Sequence, residues 1–213
     1  MLSRLAALVI LSLVAASVAA ETWHAERLGS GGGAGPRVER LWAKGPWLRA
    51  ELVYAGHPIV TYVKGDRYVI VDAATGKGVS IQRNPKSVAG DAARGRPFGN
   101  EQEILVKLGG EKVKADGAEV ACDLFRLTDQ SGRREVCVST GEEKLPLYTK
   151  AWDRESGNES ETRYLAWEKK VDLSDDFFSP DPRVQLESVT YEAYTAKPSG
   201  PAPAMYPELL HGR

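Results

Sequence analysis

The chain is poor in the residues from which catalytic and metal centres are usually built. Its 213 residues include only 2 Cys and 3 His. Two cysteines cannot make a four-cysteine zinc site. His24, His57 and His211 are scattered, and no Ser-His-Asp or Cys-His arrangement can be drawn from them. Charge of one sign is also lacking. Lys and Arg number 28 against 29 Asp and Glu, a net charge of −1, which excludes the basic balance of a nucleic-acid-binding surface. Beyond residue 20 no run approaches the ~20 apolar residues that cross a bilayer. Asp172, Asp175, Asp176 and Asp181 cluster without the spacing of a calcium loop, so a solvated loop is expected there. A non-enzymatic protein with no metal and no cofactor is the expectation.

What is present begins at the N-terminus. Met1-Leu2-Ser3-Arg4 carries one positive charge. An apolar run follows and ends in Ser17-Val18-Ala19-Ala20. This is the layout of a secretory signal peptide cleaved near Ala20. The expected localisation is periplasmic, with nothing spanning the membrane once residues 1–20 are removed. No cysteine stands at the cleavage point, so the chain is not itself expected to be acylated there. Export bears on Cys122 and Cys137. They flank the turn sequence Asp129-Gln130-Ser131-Gly132, and a hairpin there puts them nearly opposite each other on one face. In an oxidising compartment a disulfide is favoured over two buried thiols.

Glu21–Leu28 is short and mixed, and Gly29–Gly35 reads as a glycine-rich linker. It is no P-loop, because no Gly-Lys-Ser/Thr follows. From Arg37 the pattern becomes a β-meander. Arg37–Ala43, Trp47–Tyr54, His57–Lys64, Arg67–Asp72 and Lys77–Arg83 are expected strands separated by short turns. Turns at Ala55-Gly56 and Gly65-Asp66 set Tyr54 opposite His57, Leu52 opposite Ile59, Val63 opposite Tyr68 and Thr61 opposite Ile70. Leu48, Leu52, Ile59, Val63 and Ile70 then share one nearly continuous apolar face. That face must be covered by helices, by sheet closure or by a ligand. Trp42 and Trp47 are expected to pair across a turn at Lys44-Gly45.

Asn84–Gly99 reads as a Pro/Gly-interrupted connection. Glu101–Leu108 is an expected short helix capped by Asn100, with Ile104, Leu105 and Leu108 on one side. Strands resume at Glu111–Ala115, Glu119–Leu127, Arg134–Ser139, Leu145–Asp153 and Ser160–Val171, with a last one over Val184–Tyr194. The expectation is a single domain over residues 21–195. Residues 196–213, rich in Pro, Ala and Gly, are expected to be a flexible tail.

Three motifs in order carry a resemblance. Leu41-Trp42-Ala43-Lys44-Gly45-Pro46 is similar to the Leu-Trp-x-Lys-Arg-Pro strand-turn of the LolA/LolB-like lipoprotein carriers. Gly65-Asp66-Arg67-Tyr68-Val69-Ile70-Val71-Asp72 resembles their hairpin, and Val171–Pro180 their Val-Asp…Phe…Pro segment. The resemblance spans about Thr22 to Val189. It implies a mainly β (α+β) fold: a strongly curved antiparallel sheet, an unclosed β-barrel, with a few short helices. It also implies a protein that shelters a lipid, or the acyl chains of a lipoprotein, in a concave apolar groove. Leu48, Leu52, Ile59, Val63 and Ile70 are the candidate lining. Each acyl methylene withdrawn from water is worth about 0.8 kcal/mol, so an aqueous crossing requires such a cover. The alternative is an interaction or sensor module on the same fold that recognises an envelope protein and holds no lipid. Two features depart from the family. Gly45 stands where its turn has Arg, and Glu21–Leu28 is too short for its opening helix.

Overall fold

The computed structural model describes residues 20–31, 34–115, 120–201 and 206–212. The expected signal peptide lies almost wholly outside them. Six strands come first: β1 (Thr22–Gly31), β2 (Ala34–Lys44), β3 (Trp47–Tyr54), β4 (His57–Lys64), β5 (Arg67–Asp72) and β6 (Lys77–Gln82). Helices α1 (Pro85–Arg94) and α2 (Glu101–Lys107) follow. A second meander comprises β7 (Glu111–Val113), β8 (Asp123–Asp129), β9 (Gly132–Val138), β10 (Pro146–Asp153) and β11 (Glu159–Lys169). A 3-10 turn (Asp175–Phe178), β12 (Gln185–Val189), α3 (Tyr191–Ala196) and α4 (Pro207–His211) complete the described chain.

All twelve strands lie in one sheet, ordered β12-β6-β5-β4-β3-β2-β1-β11-β10-β9-β8-β7. Its end strands, β12 and β7, do not pair with each other, so the sheet is unclosed. Neighbours are antiparallel except β12, which runs parallel to β6. The expected register from β3 to β5 is observed: Tyr54 faces His57, Leu52 faces Ile59, Val63 faces Tyr68 and Thr61 faces Ile70.

The glycine-rich stretch is part of a hairpin and not a linker. β1 extends into it as far as Gly31, pairs with β2 and β11, and lies near the middle of the sheet. A Cβ on Gly31 would stand 2.1 Å from the Glu159 carbonyl oxygen. Glycine there admits a neighbouring backbone; it does not break the strand. Among the described residues no helix precedes β1, as Glu21–Leu28 suggested.

Trp42 and Trp47 do not pair. The turn is Gly45-Pro46, which sets Lys44 opposite Trp47 and Trp42 opposite Arg49. Gly45 takes φ +56°, a conformation disfavoured for Arg at this position. Trp42 instead stacks on His24 at 5.0 Å and meets the edge of Phe177 at 5.4 Å. The acidic segment around residue 175 is thus only partly solvated. Phe178 is buried beside Trp47, the Arg49 guanidinium lies 4.2 Å from the Phe177 ring centroid, and Lys44 pairs with Asp175 at 2.6 Å.

Three further readings change. Residues 85–94 are helical: the Asn84 side chain accepts from the Lys86 N–H at 2.9 Å, and Pro85 occupies the first turn. The expected last strand stops at Val189, and Thr190 caps α3 by accepting from Ala193 N–H. The expected flexible tail contains α4, whose Leu209 and Leu210 are fully buried.

Cys122 and Cys137 form a disulfide, with Cα atoms 5.7 Å apart. The crosslink ties the chain just before β8 to β9. Cys122→Ser is expected to lower stability by about 3 kcal/mol, from the larger entropy of the uncrosslinked unfolded chain. An unchanged urea midpoint would refute this.

Candidate functional site on the apolar face

The five residues picked from the meander are brought together. Leu48, Leu52, Ile59, Val63 and Ile70 are all buried, Leu52 the most exposed at 6%. Leu48, Ile59, Val63 and Ile70 belong to one cluster that also contains Tyr194 of α3 and Leu209 and Leu210 of α4. The apolar floor of the sheet therefore exists where expected, and the chain's own C-terminal helices lie over it.

The middle of the same face is polar. Registration places Arg27 of β1 opposite Glu39 of β2 and Tyr164 of β11. Arg27 donates to Glu39 at 2.8 Å and to the Tyr206 hydroxyl at 2.9 Å. The Tyr206 hydroxyl in turn donates to Glu39 at 3.0 Å. Tyr164 donates to Glu101 at 2.5 Å. Burial alone would raise the Glu39 pKa, but Arg27, the Tyr206 hydroxyl and Arg37 together hold it below the ordinary carboxylate value. Burial pushes the Tyr164 and Tyr206 hydroxyls well above the ordinary phenol value, so both remain donors.

A depressed carboxylate binds a proton less readily folded than unfolded. Its contribution to stability is present above the unfolded value and is lost as pH falls through the folded one. Glu39→Gln is therefore expected to flatten the acid limb of the stability curve relative to the unaltered protein. Parallel acid limbs in paired urea titrations would contradict this.

Beside this cluster, a cleft of about 640 Å³ opens between α1, α2 and α4. Phe98, Ile104 and Pro207 give it apolar walls, while Arg27, Glu39 and Glu101 are among its polar lining. A smaller cleft of about 230 Å³ lies on the other side of α2, against β9, β10 and β11. Ile104 lines both. The expected apolar side of α2 is not buried as a unit. Leu105 is buried, but Ile104 and Leu108 are 52% and 56% exposed. Asn100 stands at the cap position without capping; its side-chain amide donates to the Arg96 carbonyl.

The loop into α2 is positioned by aromatic packing. Trp167 stacks on Tyr164 at 4.7 Å and on Phe98 at 5.8 Å, and the Arg96 guanidinium lies 4.4 Å from Trp23 and 4.9 Å from Trp167. A Cβ on Gly99 would stand 2.5 Å from the Trp167 ring, so glycine is required for this approach.

Asp72 accepts from Ala74 N–H at 2.9 Å and bonds His57 at 2.8 Å. The first contact holds the β5–β6 turn, and the second ties the start of β4 to the end of β5. Among the described residues, no group of three or more His, Cys, Asp and Glu is placed to hold a metal.

Sequence reasoning missed Arg27, Glu39, Tyr164 and Tyr206. Strand parity held the signal for two of them. Arg27 follows Trp23 and Ala25 on the apolar parity of β1, and Glu39 precedes Leu41 and Ala43 on that of β2.

The architecture is mainly β: a single unclosed, largely antiparallel sheet with a few short helices. Neither a family model nor a curated protein matches the sequence. Among solved structures, an uncharacterized conserved protein from Thermus thermophilus is similar in fold. Its TM-score is 0.53 at 11% identity, over 79% of this chain and 90% of that one. Further matches are a LolA superfamily protein from Nitrosomonas europaea (TM-score 0.32, 12% identity, 76% and 90% covered) and the Pseudomonas aeruginosa MucA/MucB complex. For the latter the TM-score is 0.43 at 11% identity, over 79% of this chain and 59% of that one.

Proposed function

We propose that the protein is an exported, periplasmic, non-enzymatic binding protein that shelters an acyl chain of a lipid or lipoprotein against the concave face of its sheet. The observation that carries this reading is the 640 Å³ cleft beside a deep apolar floor. Its size falls within the roughly 300–1,000 Å³ of ligand sites, and it joins apolar walls to a fixed polar cluster. The chain enters past Phe98 and Ile104 toward Leu48, Leu52, Ile59, Val63 and Ile70. Arg27 and Glu101 face the polar end.

A second reading rests on a different observation. Ile104 and Val106 of α2 and Leu108 at its C-cap expose apolar surface while the floor beneath α4 is already filled. That favours α2 as a docking ridge for an envelope protein, with no lipid held.

The two readings separate in native mass spectrometry of the mature protein purified from the periplasm. The first expects additional mass, released on denaturation and identified as an acylated molecule. It also expects binding of palmitoyl-lysophosphatidylcholine that Ile104→Asp weakens about tenfold, Ile104 being exposed enough to change without unfolding. A bare polypeptide that also fails to bind the added lipid would sink the first reading and favour the second.

A further inference from the structure

Residues 206–212 occupy the apolar face of the sheet in an unusual manner. Leu209 and Leu210 are 0% exposed and share a cluster with the floor residues Leu48, Ile59, Val63 and Ile70. Yet α4 has only five residues, far below the length at which a helix holds itself together. It is entered through Tyr206 at φ +67°, a left-handed conformation that side chains disfavour. What fixes it is therefore tertiary.

The tertiary contacts recognise carbonyl groups. Arg83 Nε donates to the Leu209 carbonyl at 2.6 Å, and the Ser87 hydroxyl donates to the same oxygen at 2.6 Å. Asn84 N–H donates to the Leu210 carbonyl at 3.0 Å. These donors are prearranged without α4. Arg83 is held by Asp91 through two bonds of 2.8 Å and by the Gly65 carbonyl at 2.6 Å. The arrangement is two branched aliphatic side chains beside a carbonyl, seated on an apolar floor with fixed donors above it. An acyl ester or acyl amide presents the same chemistry: an apolar tail headed by a carbonyl.

We propose that residues 206–212 are a displaceable plug, a built-in stand-in for the ligand. The site beneath them takes an acyl chain, whose ester or amide carbonyl replaces that of Leu209 on Arg83 and Ser87. This rests on the acyl-binding reading above and specifies how its site is gated. The full chain keeps its deepest apolar surface covered until a ligand arrives, and the apparent affinity is lowered by the fraction of molecules in which the plug is seated.

The test is hydrogen exchange of the full mature chain with and without palmitoyl-lysophosphatidylcholine. Ordinary ligand binding slows exchange. Here the amides of residues 206–212 are expected to exchange about tenfold faster with lipid bound, while those of β3–β5 slow. Leu209→Ala and, separately, Tyr206→Phe are expected to tighten lipid binding by loosening the competitor. Tyr206→Phe removes only a hydroxyl and leaves the leucines in place, so it answers the question if Leu209→Ala does not fold. Lipid binding with unchanged protection at residues 206–212, and no tighter binding by the folded variants, overturns the plug and leaves the acyl-binding reading intact. No binding by the unaltered chain or by either variant overturns both.

Discussion

Arg83→Ala is expected to lower stability by about 3–5 kcal/mol, the range for removing one partner of a buried ion pair. The Arg83 side chain is 0% exposed, and its salt-bridge partner Asp91 is only 13% exposed. Every donor it offers is used. Nε reaches the Leu209 carbonyl, Nη1 the Gly65 carbonyl and Asp91, and Nη2 Ser87 and Asp91. The substitution leaves the Asp91 carboxylate with Arg94 alone and the Leu209 carbonyl with Ser87 alone, and takes the Arg83 donor from the Gly65 carbonyl, all beside an empty volume. It also unties three separate parts of the chain: the β4–β5 turn, α1 and α4. Lysine offers no planar fork and cannot repeat the two-bond contact with Asp91, so Arg83→Lys is expected to recover only part of the loss. A urea midpoint for Arg83→Ala close to that of the unaltered protein would refute this account.

Trp167→Ala is expected to be comparable, at about 3–5 kcal/mol, the usual range for deleting a well-packed tryptophan. Its ring contacts Trp23, Phe98 and Tyr164, and its Nε1–H donates to the Pro146 carbonyl at 3.0 Å. The effect should also be local in a recognisable way. Phe98, Gly99 and Arg96 lose the surface on which the loop into α2 rests. Amides of residues 96–107 are expected to lose more exchange protection than those of β3–β5. Uniform loss across the sheet would mean that Trp167 supports the core as a whole and does not position α2.

The contrast between what was legible and what was not has a physical pattern. The boundaries of β3, β4 and β5 follow directly from the residues. Alternation of period two and turn pairs such as Ala55-Gly56 and Gly65-Asp66 are local signals, and the pairing register is arithmetic once the turns are placed. α1 was missed although Asn84-Pro85 is a start signal, because Gly90 and Gly95 dilute the periodicity behind it. α4 was missed because a segment rich in Pro and Ala gives no sign that Leu209 and Leu210 fit a floor set far earlier in the chain. All five floor residues are buried and four of them share one cluster, but what lies on that surface is a tertiary fact. The Arg27–Glu39–Tyr206 cluster was half legible. A charge on the apolar parity of a strand is a visible anomaly, whereas the tyrosine that completes the cluster arrives from the other end of the chain.

The position of β1 has a consequence for how the molecule comes into being. β2 follows β1 at once, so one edge of β1 is satisfied early. Its other edge pairs with β11, as in Trp23 with Lys169. Contacts of such sequence separation form slowly, since a long loop must close before they contribute. A growing chain can complete the meander from β1 to β6 and still present an unpaired strand in what becomes the centre of the sheet. An open edge of that kind invites pairing with another copy. The interval before β11 arrives is when this chain is most exposed to misassembly, and the rate of that one closure sets how long the interval lasts.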